Sequence, residues 1–172
     1  SFGEINNVRV LFFTRLPPQT SNTRRYHGGT AQTLWRVDLA DDGSALSEAV
    51  PLTGEHQGTS KRPMWSAALG RCFFLSDRGE TETMNLWSMA PDGTDKQQHT
   101  QALSSDFELR YATLADISAD TARICYQQGA DLFAIDLTSS LEPSAAVLLP
   151  IVLSTGFELA ADQVVSRPTR FF

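Results

Sequence analysis

Cysteine and histidine are scarce in this sequence, and long apolar runs are missing. The two cysteines, Cys72 and Cys125, form no Cys-x-x-Cys motif or Cys/His cluster, so neither a disulfide framework nor a zinc site is predicted. The longest apolar run, residues 145–153, contains Pro150 and is far shorter than the ~20 residues that a membrane-spanning helix needs. We therefore expect no metal, no cofactor and no membrane partner, and two free thiols favour the cytoplasm over the periplasm.

Basic residues are also few. The chain has 14 Lys and Arg against 20 Asp and Glu, which gives a net charge of -6. A nucleic-acid partner is not expected, because phosphate binding needs clustered Lys and Arg. The 172 residues, of which 41% are hydrophobic, are enough to bury one ordinary core and predict a single domain over 1–172.

A threefold internal repeat is the main signal in the sequence. Each copy has a short β-type strand that begins at Arg9, Arg71 or Arg123, followed by a strand with a leucine and an aromatic residue in register. The leucines are Leu34, Leu86 and Leu132, and the aromatic residues beside them are Trp35, Trp87 and Phe133. In each copy, residues typical of turns follow the second strand: Asp41-Asp42-Gly43, Pro91-Asp92-Gly93 and Thr138-Ser139-Ser140.

Two further elements accompany these strands. Short outer segments follow at 49–53, 96–100 and 146–150. Another strand precedes the arginine strand in the second and third copies, whereas the first copy is predicted to lack it. The equivalent leucines are 52 and 46 residues apart, close to the ~40–50 residues of a four-stranded propeller blade. A β-sandwich would not repeat one strand order three times. The predicted fold class is therefore all-β, a partial β-propeller of three four-stranded antiparallel blades.

Three blades cannot close a ring, because ~4 is the smallest number found in a propeller. We place the blades at about 5–54, 60–101 and 108–151, and we interpret 152–172 as the beginning of a further blade. The sequence thus predicts an open arc with exposed strand edges and apolar end faces. Such an arc either belongs to a longer chain or forms a homo-oligomer.

The repeat alignment also predicts where the cysteines and the aromatic residues lie. It places Cys72 in the slot of Val10 and Ile124, and Cys125 in the slot of Leu11 and Phe73. Successive residues of a strand point to opposite faces, so the two thiols are expected on opposite sides of different blades and should not pair. The three equivalent aromatic residues are expected to pack between blades.

One stretch is more specific than the general WD-like and TolB-like blade pattern. Residues 25–35 read Arg-Tyr-His-Gly-Gly-Thr-Ala-Gln-Thr-Leu-Trp, which resembles the Tyr-x-Gly-Gly-Thr segment of the six-bladed propeller in the tricorn protease family. Further resembling features follow in the same order at 74–77, 85–88, 92–95, 99–100 and 129–132. The resemblance covers roughly residues 8–140.

This resemblance implies a role inside a large serine peptidase that trims oligopeptides. In that family an N-terminal propeller is proposed to form a channel to or from the catalytic chamber, and the catalytic residues lie in separate C-terminal domains. No catalytic residue is carried over to this chain, which is expected to be a non-catalytic channel or scaffold segment of a six-bladed ring. Its expected partners are the remaining blades, the peptidase domains and oligopeptides.

Two alternatives to this function remain open. The first is a TolB-like propeller that binds a protein partner and is not attached to a protease. The second is a propeller glycosidase or lactonase, which would need several carboxylates near the ring axis, whereas the acidic residues here cluster mainly in turns.

The candidate binding segment is the connection 16–32, which is longer than the equivalent connections of the other two copies. Its Arg24, Arg25, Tyr26 and His27 are predicted to contact a peptide carboxylate or a neighbouring domain, since guanidinium groups bind carboxylates bidentately. The alternative is a solvent-exposed loop without a binding role, in which Gly28-Gly29 forms the turn.

Other possible sites are not supported by the sequence. The histidines, His27, His56 and His99, accompany no Gly-x-Ser-x-Gly elbow, so no catalytic triad is predicted, and His99 is expected to have a plain strand or turn role. The acidic segment 77–82 lacks the spacing of a calcium loop and is interpreted as an ordinary hairpin connection.

Overall fold

The computed structural model describes residues 1–16, 26–104 and 108–150, and in these ranges all regular structure is β-strand. The strands are β1 (Phe2–Ile5), β2 (Val8–Arg15), β3 (Thr33–Leu39), β4 (Val50–Pro51), β5 (Ser60–Ser66), β6 (Arg71–Ser76), β7 (Asn85–Met89), β8 (Gln97–Gln98), β9 (Leu109–Asp116), β10 (Thr121–Gln128), β11 (Asp131–Thr138) and β12 (Val147–Leu149). Among the described residues there is no helix long and apolar enough to cross a membrane.

The strands form three antiparallel four-stranded sheets that repeat one topology. Sheet I has the order β1-β2-β3-β4, sheet II the order β5-β6-β7-β8 and sheet III the order β9-β10-β11-β12. This confirms the all-β fold class, with three four-stranded antiparallel blades in an open arrangement.

The first blade differs from the sequence-based expectation, because it does possess a strand before the arginine strand. Phe2–Ile5 pairs with β2, and Phe2 lies opposite Leu11. The four residues include Gly3 and Glu4, which have low β propensity, so the local sequence gives little indication of a strand. A close tertiary contact explains the glycine, since a Cβ atom at Gly3 would lie 2.5 Å from the Trp65 ring of sheet II.

Equivalent hydrogen bonds show how closely the first two blades repeat each other. The amide of Leu34 donates to Thr53 Oγ1 over 2.9 Å, and the amide of Leu86 donates to Thr100 Oγ1 over 2.9 Å. The turns after these strands also match, since Asp42 accepts from the Ser44 amide and Asp92 accepts from the Thr94 amide. The leucine alignment is therefore correct for these two blades.

Side chains that alternate along the strands form two apolar layers between the sheets. Sheets I and II meet through a cluster that contains Val10, Phe12, Leu34, Cys72, Phe74 and Met89. Sheets II and III meet through a cluster that contains Phe73, Leu75, Leu86, Ile124, Tyr126 and Ile135. Sheet II is thus apolar on both faces, which explains why every residue of β6 is buried.

The register corrects one part of the repeat alignment. Leu34 pairs with Thr14, whereas Leu86 pairs with Leu75, so the arginine strand of the first copy is displaced by one residue relative to the second. Val10 therefore packs against Cys72 from the opposing sheet and does not occupy the same slot. One residue of displacement reverses the face of every side chain in a strand. Both thiols are unpaired, as expected.

The sheets converge at their first strands. β5 contacts both β1 and β9, and hydrogen bonds join these strands between sheets. The amide of Trp65 donates to Ser1 Oγ over 3.0 Å, while Asp116 accepts from Ser66 Oγ and from the amide of Ala67. The first strand of each sheet therefore occupies the inner position of the arc.

The two end faces of the arc differ in character. The outer face of sheet I carries half-buried Leu11, Phe13, Trp35 and Val37. On the outer face of sheet III the exposed Arg123 forms a two-pronged ion pair with Asp136, at 2.7 and 2.8 Å. The register places exposed Leu132 and Val147 on this same face, so both end faces are apolar in part, and that of sheet III also carries an ion pair.

A matched pair of turn glycines tests how sheets I and II fit together. Gly43 and Gly93 occupy equivalent turns with φ of 84° and 88°, but only a Cβ at Gly93 would approach the Leu52 carbonyl oxygen of the other sheet, at 3.1 Å. We expect Gly43→Ala to lower the free energy of unfolding by about 1–2 kcal/mol through its left-handed backbone. Gly93→Ala should cost about 1 kcal/mol more, because overpacking adds to the backbone term. Urea unfolding of both variants checks this, and equal losses would contradict the contact.

Candidate functional site

The predicted binding segment is described in part. Residues 17–25, and with them Arg24 and Arg25, lie outside the described residues. Tyr26 and His27 lead into a turn in which the Ala31 amide donates to the Gly28 carbonyl over 3.0 Å. Gly28 also donates its amide to the Gln57 carbonyl over 3.0 Å, and Thr30 Oγ1 donates to Tyr26 Oη over 2.9 Å. The glycine pair thus holds this connection against the chain that leads into β5.

A cluster of histidines and carboxylates joins this connection to sheet II. His56 Nε2 lies 2.7 Å from Asp77 Oδ1, and the same carboxylate oxygen accepts from the Thr59 amide over 2.8 Å. The His27 ring meets the His56 ring edge-on, with 6.2 Å between centroids, and His27 Nε2 lies 3.7 Å from Glu82 Oε1. Gly58 makes room for this arrangement, because a Cβ there would lie 2.5 Å from both Asp77 and His56.

A groove of about 570 Å³ opens beside the cluster and is lined by Arg15, the Gly28-Gly29 turn, Trp35 and His56. The guanidinium of Arg15 lies over the Trp35 ring, 4.6 Å from its centroid, while Trp35 Nε1 donates to Thr33 Oγ1. A planar cation on an aromatic ring beside imidazoles suits an anionic group such as a carboxylate. The structure therefore brings Tyr26 and His27 close to a cationic groove, with His56 and Arg15 as neighbours that sequence reasoning missed.

A second groove occupies the equivalent place in the second blade. It has a volume of about 520 Å³ and is lined by Arg78, Thr81, Trp87, Gln98 and Gln101 among others. The Arg78 guanidinium lies over two neighbouring rings, 5.4 Å from the Phe74 centroid and 5.6 Å from the Trp87 centroid. Trp35 and Trp87 are equivalent in the repeat, so an arginine caps the same tryptophan position in both blades.

The second groove contains buried donors without partners. Arg78 donates through Nη1 to Glu55 and through Nε to Ser76 Oγ, but its Nη2 is buried and makes no hydrogen bond to the described residues. Trp87 Nε1 is also buried and without a partner there. Each such donor costs about 1–3 kcal/mol unless something satisfies it.

His99 and Ser88 form a pair that superficially resembles catalytic groups. His99 Nε2 lies 2.8 Å from Ser88 Oγ, and Arg71 Nε donates to the same oxygen over 3.0 Å. Ser88 is 0% exposed, so a substrate does not reach this oxygen in the folded protein. Burial and the nearby Arg71 lower the pKa of His99 to about 4, which keeps the ring neutral. The arrangement supports the expected structural role of His99.

The inner strands carry a repeated irregularity. Sheet II has a register shift between Lys61 and Met64, and sheet III has one at the equivalent place in β9. Arg62 and Tyr111 lie within these bulges with φ of 57° and 50°, a left-handed conformation that is uncommon for residues other than glycine. The Arg62 guanidinium lies 5.9 Å from the Tyr111 ring centroid, and both side chains are exposed. The bulges therefore place a cation and an aromatic ring on the inner side of the arc.

No metal site accompanies these features. The described part of the chain contains no group of three or more His, Cys, Asp or Glu side chains that could hold an ion. Asp77, which begins the acidic segment 77–82, is 4% exposed and is occupied by His56 and Thr59.

Three sheets of one topology, converging on their first strands and packed through successive apolar layers, define a segment of a β-propeller. The chain matches the family model for the tricorn protease N-terminal beta propeller domain over residues 3–140. This match covers most of the chain, and the protein belongs to that family. The resemblance that begins at Tyr26-His27-Gly28-Gly29-Thr30 is thereby confirmed.

A solved structure agrees on the fold. The chain is similar to the crystal structure of the tricorn protease, with a TM-score of 0.58, 17% sequence identity, and coverage of 91% of this chain and 13% of that one. It also matches the β-propeller domain of the Trilobed protease from Pyrococcus furiosus, with a TM-score of 0.47, 8% identity, and coverage of 87% of this chain and 42% of that one. No curated protein matches the chain. The chain thus spans about an eighth of the tricorn protease chain.

Proposed function

We propose that this protein is a non-catalytic propeller segment of a tricorn-like serine peptidase, and that it forms part of a channel or scaffold through which oligopeptides pass. The observation that carries the proposal is the family match over residues 3–140. The proposal makes residues 1–172 one partial propeller domain whose partners are further blades, peptidase domains and, in the assembled enzyme, other copies of the chain.

The inner side of the arc supports a contact role. Propeller blades surround a central channel, and the first strands β5 and β9 occupy that inner position. They expose Arg62, Arg110 and Tyr111, which combine cationic donors with an aromatic surface. Such side chains can contact peptide carboxylates and side chains without depending on one peptide sequence.

The second half of the connection 16–32 supports a contact at one opening of the propeller channel. Tyr26 and His27 lie near the groove that contains Arg15 and His56, and Arg24 and Arg25 directly precede them in the sequence. The surface would then attract a peptide carboxylate or an acidic part of a neighbouring domain. The unpaired thiols Cys72 and Cys125 favour a cytoplasmic enzyme over a periplasmic one.

The double substitution Arg24→Ala with Arg25→Ala tests this function in the full-length protein. We expect lower turnover of peptides with a free C-terminus than of amidated peptides, or weaker subunit association. Folding should be unchanged, because arginine ion pairs contribute little to stability unless they are buried. The measurement is turnover on both peptide forms together with light scattering. Arg9→Ala, a substitution of an exposed arginine on β2, is the matched control.

The possible results distinguish a failure of the proposed function from a failure of the proposed contact site. A full-length protein without peptidase activity would contradict the function and favour a TolB-like interaction module. Peptidase activity with unchanged turnover, selectivity and association in the double variant would leave the function in place and show that the two arginines are merely solvated.

A further inference from the structure

The groove over Arg78 and Trp87 combines features that call for a ligand. Arg78 is nine-tenths buried, its side chain being 10% exposed, and its Nη2 has no partner among the described residues. Trp87 Nε1, on the wall of the same 520 Å³ groove, also has none. Buried donors of this kind are rare in folded proteins. A third one, Trp65 Nε1, lies away from this groove, whereas Arg78 and Trp87 both line it and could share one acceptor.

The charges around the groove select an anionic acceptor. Glu55 accepts from Arg78 Nη1 at 3.1 Å and lies 3.2 Å from Lys96 Nζ, so one carboxylate faces two cations and a positive charge remains. Glu80 also lines the groove and is exposed, so solvent screens its negative charge. Thr81 and Gln101 add neutral hydrogen-bonding groups to the wall.

We propose that this groove is a carboxylate-binding site in which Arg78 Nη2 and Trp87 Nε1 donate to the ligand. The guanidinium of Arg78 lies over two adjacent rings and is oriented by its bond to Glu55, so its Nη2 has a fixed position beside the groove. A fixed, partly desolvated guanidinium is a strong carboxylate donor. The proposal concerns binding by this chain and goes beyond its membership of a peptidase.

The first blade provides a comparison within the same molecule. Its groove also has an arginine over the equivalent tryptophan, but Trp35 Nε1 already donates to Thr33 Oγ1. The equivalent position in the second blade is Asn85, whose side chain is engaged with Thr83, Thr100 and Ala102 and leaves Trp87 without a partner. The first groove therefore lacks the free indole donor that the second one has.

Nuclear magnetic resonance of the indole groups tests the site directly. The protein, labelled with ¹⁵N, is titrated with acetate, with an acetylated alanine tripeptide that has a free carboxylate, and with the same tripeptide as an amide. We expect the Trp87 indole signal to shift with the carboxylates and not with the amide, while the Trp35 signal stays in place. Acetate alone would identify any carboxylate as the ligand, whereas a shift that needs the tripeptide would identify a peptide C-terminus.

Variants complete the test. Trp87→Phe keeps the ring and removes the donor, and it should weaken the affinity measured by calorimetry about tenfold, since a hydrogen bond to a charged group is lost. Arg78→Lys should weaken it as well, and Trp35→Phe, the matched control, should not. An unchanged Trp87 signal with every probe, or equal shifts with carboxylate and amide, would overturn the proposal and leave ordered water as the partner of both donors.

Discussion

Replacing Phe12 by alanine is expected to lower the free energy of unfolding by about 3–5 kcal/mol, the usual cost of removing a buried phenylalanine. Phe12 is 0% exposed and belongs to the layer between sheets I and II. Its ring stacks on Trp65 with 5.4 Å between centroids and 16° between planes. The loss therefore includes both apolar burial and an aromatic contact between blades.

The adjacent Phe13 provides the control, because it lies on the same strand and points to the opposite face. That face of sheet I is not covered by another described sheet, and Phe13 is only half-buried. Phe13→Ala should cost about 1–2 kcal/mol through partial loss of burial. Urea unfolding of the two variants, with the slopes compared, measures the difference. Equal losses would show that sheets I and II do not pack through the Phe12 face.

Acidification is expected to destabilise the protein through His99, by at most about 3 kcal/mol. Burial first, and Arg71 second, lower the pKa of His99 from 6.5 to about 4. Between these values the unfolded chain binds a proton on His99 that the folded protein does not bind. Above pH 6.5 the neutral ring therefore makes its full contribution to the free energy of unfolding. This contribution is lost progressively as the pH falls, and below a pH of about 4 the His99 effect no longer changes.

A substitution taken from the neighbouring blade isolates this effect. The amides of Leu52 and His99 donate to Leu34 and Leu86, respectively, so leucine occupies the equivalent place in the first blade. His99→Leu should remove the pH dependence between 6.5 and 4, while Arg71 continues to bond Ser88. The free energy of unfolding of both proteins, measured across this range, checks the result. An identical slope in the variant would show that the pH dependence does not arise from His99.

The threefold repeat could be predicted from the sequence because it depends on interactions between residues that are close together in the chain. Strand patterns that begin at Arg71 and Arg123, the leucine and aromatic pairs, and the Asp-Gly turns each result from interactions within one blade. The matching bonds from Leu34 and Leu86 to Thr53 and Thr100 are of this local kind. The family resemblance of the Gly28-Gly29 turn also rests on a short stretch of chain.

What the sequence determined by itself was the number of blades, their strand order and the family. The tertiary structure decided the strand Phe2–Ile5, the one-residue displacement of β2 and the packing of Val10 and Cys72 in one apolar layer, because these depend on contacts with a neighbouring sheet. The same holds for the candidate sites. His56 meets His27, and Arg78 meets Trp87, only when separate segments pack together. No spacing in the chain indicates which buried donors remain without a partner, since that depends on all the groups that surround them in space.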